Sequence, residues 1–214
     1  MKVLDLFAGL GGWGMPFKDR GHEVFSIDFN PRFNVNLVKN ILDVKASDIP
    51  WTPDIILASP PCEGFSLLRA NINWDNDKPI TIRSKMGMKI LQKTLNLIEE
   101  LKPKYFIIEN PRAKMRATAE VQPFERRTVT YCQYGMKWMK PTDLWGGFPP
   151  SLKLKPVCFK GATCHEYVSP GCGKGIVGCH SSAERAEIPY ALALEVCLAT
   201  EVALSGYENL KTNL

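Results

Sequence analysis

Two short stretches carry residues that could do chemistry. Cys62 stands in "SPPCEGFS" (59–66) and Glu109 in "IIENPR" (107–112). A thiolate paired with a carboxyl acid suits addition to an electron-poor ring. The sulfur attacks carbon, and the acid protonates or hydrogen-bonds a ring nitrogen so that charge does not build up. Pro60 and Pro61 fix φ and remove backbone donors, which stiffens the loop that carries the thiol. The plain alternative is that Cys62 is a small core residue, as free cysteine often is. A cysteine protease needs a histidine base, and none of His22, His165 and His180 stands at a clear strand end beside Cys62.

The elements that must position this pair are legible as alternating strands and helices. Apolar runs at 2–7, 23–28, 54–59 and 105–110 are each bounded by polar, glycine or proline signals, which suits strands buried on both faces of a parallel sheet. Between the last two, Ile90, Leu91, Leu95, Leu97, Ile98 and Leu101 recur at helical spacing, predicting a helix over 85–101 that Pro103 stops. The pattern is βαβ, hence an α/β, mostly parallel, doubly wound sheet with right-handed crossovers. Ligands on such sheets gather at the carboxyl ends of the strands. If the strands at 54–59 and 105–110 are neighbours, Cys62 and Glu109 open into one cleft.

A second cluster lies at the end of the first strand. "DLFAGLGGW" (5–13) places Gly9, Gly11 and Gly12 in a turn where backbone can approach a ligand closely. The spacing is not G-x-G-x-x-G, and no P-loop lysine follows. Strand two ends in Asp28, where an acid can accept both hydroxyls of a ribose. A ribose-bearing cofactor without a triphosphate fits.

The 214 residues suit one domain with a small appendage: 45% are hydrophobic and 23% charged, with a net charge of +5 that permits an anionic partner. Without an apolar run near ~18 residues, nothing is expected to span a membrane. The first residues do not read as a signal peptide, so the expected location is the cytosol. Seven cysteines in that setting do not suggest a disulfide framework.

"DLFAGLGGW", "SPPCEGFS" and "IIENPR", in that order, resemble motifs I, IV and VI of the DNA cytosine-5 methyltransferase family. The resemblance runs from residue 2 to about 145 and resumes at 185–204. It implies a Rossmann-like fold, S-adenosylmethionine as cofactor, and DNA as substrate. It also implies a catalytic cysteine that adds to C6 of a flipped-out cytosine before C5 is methylated. Catalytic roles fall to Cys62, Glu109, Pro61 and Asn110. Cofactor contacts fall to Asp5, Phe7, Ala8, Gly9, Gly11, Gly12, Asp28, Phe29 and Pro60. "LDV" (42–44) resembles the motif that reads the adenine, giving Asp43 and Val44, with Asp48 the rival acid. The compact layout resembles small orphan enzymes of phage and prophage genomes, so a cytoplasmic monomer in a bacterial host or phage-infected cell is expected.

Three parts follow: a catalytic core at 1–145, a small insert at 146–184 in the target-recognition position, and a C-terminal helix at 185–214 that packs back on the core. So small an insert implies short or relaxed specificity, or a partner subunit that supplies it. Nucleic-acid contacts are expected from Ser66, Arg69, Arg83 and Lys85 in the segment after the thiol. Lys137 and Lys140 are added from "YCQYGMKWMKPT" (131–142), where lysines replace the family's arginines. Cys158, Cys164, Cys172 and Cys179 could bind zinc, but no C-x-x-C pair is present, and free cysteines are the preferred reading. Two other functions stay open: an RNA cytosine methyltransferase on this scaffold, and a non-catalytic nucleic-acid-binding accessory subunit. Cys62 and Glu109 together argue against the latter.

Overall fold

A computed structural model describes residues 1–67, 70–159, 161–165 and 186–211. Its centre is a seven-stranded sheet in the order β3-β2-β1-β4-β7-β9-β8. The strands are β1 (Lys2–Leu6), β2 (Glu23–Asp28), β3 (Leu37–Val38), β4 (Ile55–Ala58), β7 (Tyr105–Pro111), β8 (Glu125–Thr130) and β9 (Pro141–Gly147). The first five run parallel, whereas β9 is antiparallel to both β7 and β8. The expected mostly parallel α/β sheet is therefore present.

Its strands read as continuous apolar runs because both faces are covered. Val3, Ile55, Leu57 and Ile107 point to one core with Phe17, Leu192 and Val196. The alternate residues Leu4, Leu6, Ile56 and Ile108 point to a second core with Leu97 and Ile98. Each such side chain, fully buried, contributes roughly 1.5–3 kcal/mol. The first core lies under α1 (Gly14–Asp19) and α4 (Tyr190–Lys211), and the second under α3 (Ile82–Leu101).

Helix α3 starts three residues before the predicted 85. Thr81 caps it, its hydroxyl accepting from Ser84 N while the Ser84 side chain returns to Thr81 N. Arg83 thus joins Lys85 and Lys89 on the helix. The segment before it forms a short helix α2 (Ala70–Asn73) and a two-stranded hairpin, β5 (Trp74–Asp75) and β6 (Lys78–Pro79).

In β9 the sequence "WGG" has a steric cause. A Cβ at Gly146 would lie 1.9 Å from the Phe106 carbonyl oxygen, so only glycine lets β9 pair with β7 there. No helix among the described residues is long and apolar enough to cross a membrane.

Candidate active site

β4 and β7 are paired neighbours, with Ala58 opposite Ile108. Glu109 is therefore one residue past the last pair, and Cys62 follows on the loop from β4. Asn110 joins the two ends: its side-chain NH2 donates to the Pro60 carbonyl at 2.8 Å. Asn110 thus ties the strand that carries Glu109 to the loop that carries the thiol.

The turn at Cys62–Gly64 is fixed from the other side by α3. A Cβ on Gly64 would meet the Arg83 carbonyl at 2.9 Å, so the turn sits directly on the helix. Phe65 is fully buried behind it, and the Trp74 indole donates to the Gly64 carbonyl at 2.8 Å. Cys62 itself is exposed. It lines a cavity of about 150 Å³ with Ser66, Leu67, Pro111, Arg112 and Ala113.

Glu109 is only 4% exposed. Its Oε1 accepts from the Tyr131 hydroxyl at 2.9 Å and lies 3.9 Å from the Lys140 ammonium. Lys140 in turn sits over the Tyr131 ring at 4.4 Å. Surrounding protein and then the Glu109 carboxylate push the Cys62 thiol above its ordinary range, and Lys140 pulls it down. Lys140→Met should therefore make alkylation of Cys62 by iodoacetamide, followed by peptide mass spectrometry, several-fold slower near pH 7. The rate should recover at alkaline pH. An unchanged pH profile would remove Lys140 from the thiol's surroundings.

The glycine turn builds the second half of the site. Phe7, although not glycine, holds φ at +62°, a conformation that costs about 1–3 kcal/mol and is often found at ligand clamps. Phe7 lines both a cavity of about 340 Å³ and an adjoining one of about 120 Å³. The larger is walled by Asp28, Phe29, Ile41, Leu42, Pro61 and Met86, and the smaller by Ala8, Gly9, Gly12, Trp13, Ser59 and Ile188. The Asp28 carboxylate accepts from Gly9 N at 3.0 Å and Asn30 N at 2.9 Å, so it also holds the turn. A Cβ on Gly12 would sit 3.0 Å from Ile188, which closes the smaller cavity ahead of α4. Gly11, at φ +82°, shapes the turn without lining either cavity.

Other predicted residues have different surroundings. Val44 is fully buried in the core below α3, and Asp43 is exposed on the turn whose Ile41 and Leu42 form the cavity wall. Asp48 is committed elsewhere: it pairs with Lys39 at 2.7 Å and accepts from Lys45 N. Arg83 lies 3.9 Å from Glu63, Lys85 and Lys137 are exposed, and Lys140 is buried against Glu109. Arg69, Cys172 and Cys179 lie outside the described residues. Tyr131 was not anticipated. Its place in "YCQYG" marked it only as an aromatic residue.

Asp5 is buried beneath the turn and accepts from Gly14 N at 3.1 Å. Burial raises its carboxyl from 3.8 to about 7, the opposite of the usual salt-bridged case. The folded state binds this proton more tightly, so the penalty for Asp5 grows as pH rises from about 4 and is complete above about 7. It amounts to about 4 kcal/mol. Asp5→Asn, which keeps the acceptor for Gly14, should therefore raise stability at pH 8 and change it little at pH 4. Urea unfolding at the two pH values measures this difference.

The C-5 cytosine-specific DNA methylase family model matches residues 1–122, the stretch that holds the glycine turn, Cys62 and Glu109. The chain belongs to this family. It is 30% identical over 160 residues to a probable DNA (cytosine-5)-methyltransferase of Frog virus 3, covering 70% of this chain and 73% of the viral one. The type II methyltransferase M.XorII of Xanthomonas oryzae is 28% identical over 125 residues, covering 50% of this chain but 27% of that enzyme. This family member therefore spans most of a viral relative and about a quarter of a bacterial one. Among solved structures, the Entamoeba histolytica methyltransferase EhMeth superposes with a TM-score of 0.52 at 14% identity, over 73% of this chain and 56% of that one. The S. pombe Dnmt2 methyltransferase gives 0.50 at 15%, over 76% and 51%. Both likenesses concern the fold, which is the Rossmann-like methyltransferase fold.

Proposed function

We propose that this methylase methylates C5 of cytosine in DNA through a covalent bond between Cys62 and C6 of a flipped-out base. The observation that carries the proposal is an exposed thiol beside a buried carboxyl, at the ends of paired parallel strands, next to a cavity suited to a nucleoside. Membership of the family supports the same reading.

The cavity above Phe7 fits an S-adenosyl group in its chemistry. Ile41, Leu42 and Met86 supply apolar walls for a base, Asp28 an acceptor for ribose hydroxyls, and the adjoining cavity room for an amino-acid tail. When bound there, S-adenosylmethionine supplies an electrophilic methyl group for C5. The chain's own residues do the rest. The Cys62 thiol passes its proton through solvent to the Glu109 carboxylate, the sulfur bonds to C6, and the pair released from the C5–C6 double bond makes C5 nucleophilic. Glu109 gives a proton to N3, which draws the ring's electrons and stabilises the adduct. The Tyr131 hydroxyl and the Lys140 ammonium hold the Glu109 carboxyl in place. Loss of the C5 proton to water then returns the pair to the ring, the C6–S bond breaks to release Cys62 as thiolate, and N3 returns its proton to Glu109.

The cavity of Cys62, Ser66 and Arg112 would receive the base, extruded because its ring face cannot be reached inside a stacked duplex. Residues 146–184 are few for the task of reading base edges, which supports short or relaxed specificity. Incubation with methyl-tritiated cofactor and either duplex DNA or RNA tests this. Label in DNA, recovered as 5-methylcytosine, is expected. Label in RNA alone would overturn the substrate, and label in neither would overturn the activity.

A further inference from the structure

The Cys-rich insert brings Cys158, Cys164 and His165 to Cys132, which follows the Tyr131 of the active site by one residue. All four ligand atoms lie within 4.8 Å of one another. Cys164 Sγ is 3.8 Å from Cys132 Sγ and 3.6 Å from His165 Nδ1, and Cys158 Sγ is 3.5 Å from the same nitrogen. A tetrahedral ion with bonds of about 2.3 Å to sulfur and about 2.0–2.1 Å to nitrogen would set S–S edges near ~3.8 Å and S–N edges near ~3.5 Å. Three of these four separations match such edges. The fourth, Cys158 to Cys164 at 3.1 Å, is shorter than such an edge but well beyond the ~2.05 Å of a disulfide.

We propose that Cys132, Cys158, Cys164 and His165 form a structural zinc site that fastens the insert to the catalytic core. Three thiolates and an imidazole are the soft, tetrahedral donor set that selects zinc, and four protein ligands leave no position for a reacting water. The surroundings suit thiolates. Gln133 Nε2 donates to Cys164 Sγ at 3.4 Å, and Cys158 N is fixed to Thr130 Oγ1 at 2.8 Å at the end of β8. A second cluster, His22, Cys197 and Glu201, is not a rival, because Arg20 holds both Glu201 oxygens at 2.8 and 2.7 Å. The zinc site does not depend on the proposed chemistry, although Tyr131 makes it a support for Glu109.

Metal analysis of the full chain, purified under reducing conditions and desalted, tests this. About one zinc per chain is expected in the wild type, in Cys62→Ala and in Cys197→Ala. Cobalt in place of zinc should give the intense visible bands of a tetrahedral thiolate site. Cys164→Ser, at an exposed position, should lose the metal and those bands while circular dichroism reports a folded protein, and it should unfold at a lower temperature than the zinc-loaded wild type. Should Cys132→Ser not fold, Cys164→Ser and the cobalt spectrum still decide. A folded wild type without zinc, zinc retained by Cys164→Ser, or a Cys158–Cys164 disulfide in reduced preparations would overturn the site.

Discussion

Replacing Cys62 by alanine should reduce methyl transfer at least about 10⁴-fold while leaving the fold and cofactor binding intact. The size follows from the role. Without sulfur at C6, C5 of cytosine has no carbanion character, and among the described residues that line the cavity no other nucleophile of this strength stands ready to supply it. The structural cost should be small, because Cys62 is exposed and the turn that carries it is held by Gly64, Phe65 and Trp74. Exposed substitutions of this kind usually stay within about ±0.5 kcal/mol. Tritium transfer and a thermal melt on the same preparation separate the two effects. A variant that keeps more than a few per cent of the activity would show that the thiol is not the nucleophile.

Glu109→Gln should divide two properties that a misfolded site would lose together. The amide keeps an acceptor for the Tyr131 hydroxyl at a position that is only 4% exposed, so the local structure is preserved. It cannot give a proton to N3, and loss of a general acid costs about 10²–10⁴-fold in rate. Yet the Glu109 carboxylate is one of the groups that push the Cys62 thiol up, second to the surrounding protein that displaces water from around it. Removing its charge makes the thiolate easier to form. Alkylation of Cys62 at pH 7 should therefore become faster as methyl transfer collapses. A fall in both rates would mean that glutamine disturbs the loop, and methyl transfer near the wild-type level would exclude Glu109 as the acid.

The strands were readable because burial on both faces leaves an unbroken apolar signal: β4 was expected within 54–59 and is Ile55–Ala58, all four buried, and β7 runs one residue past its expected end. The start of α3 was not, because Ile82, Arg83 and Met86 are exposed and carry no period there; the Thr81–Ser84 cap sets the boundary instead. β8 and β9 escaped notice for a related reason. β8 begins with charged Glu125 and Arg126, and β9 contains glycines whose purpose is steric contact with Phe106. In the site, strand ends and turns betrayed Cys62, Glu109 and Asp28. Tyr131 and Lys140 come from a segment distant in sequence, and only the antiparallel return of β9 beside β7 brings Lys140 to Glu109. The cysteines make the same point: Cys132, outside the Cys-rich stretch, reaches Cys164 through the end of β8.

The central claim is a sulfur–carbon bond from Cys62 to a cytosine ring, and trapping it is the most direct test. Duplex DNA containing 5-fluorocytosine, incubated with the protein and S-adenosylmethionine, presents a C5 that has no proton to lose after methylation. The adduct cannot eliminate, and a protein–DNA complex stable to denaturing electrophoresis should accumulate, with the modified peptide at Cys62. Cys62→Ala should form none. No complex with an active wild-type preparation, or an equal amount with Cys62→Ala, would contradict the mechanism.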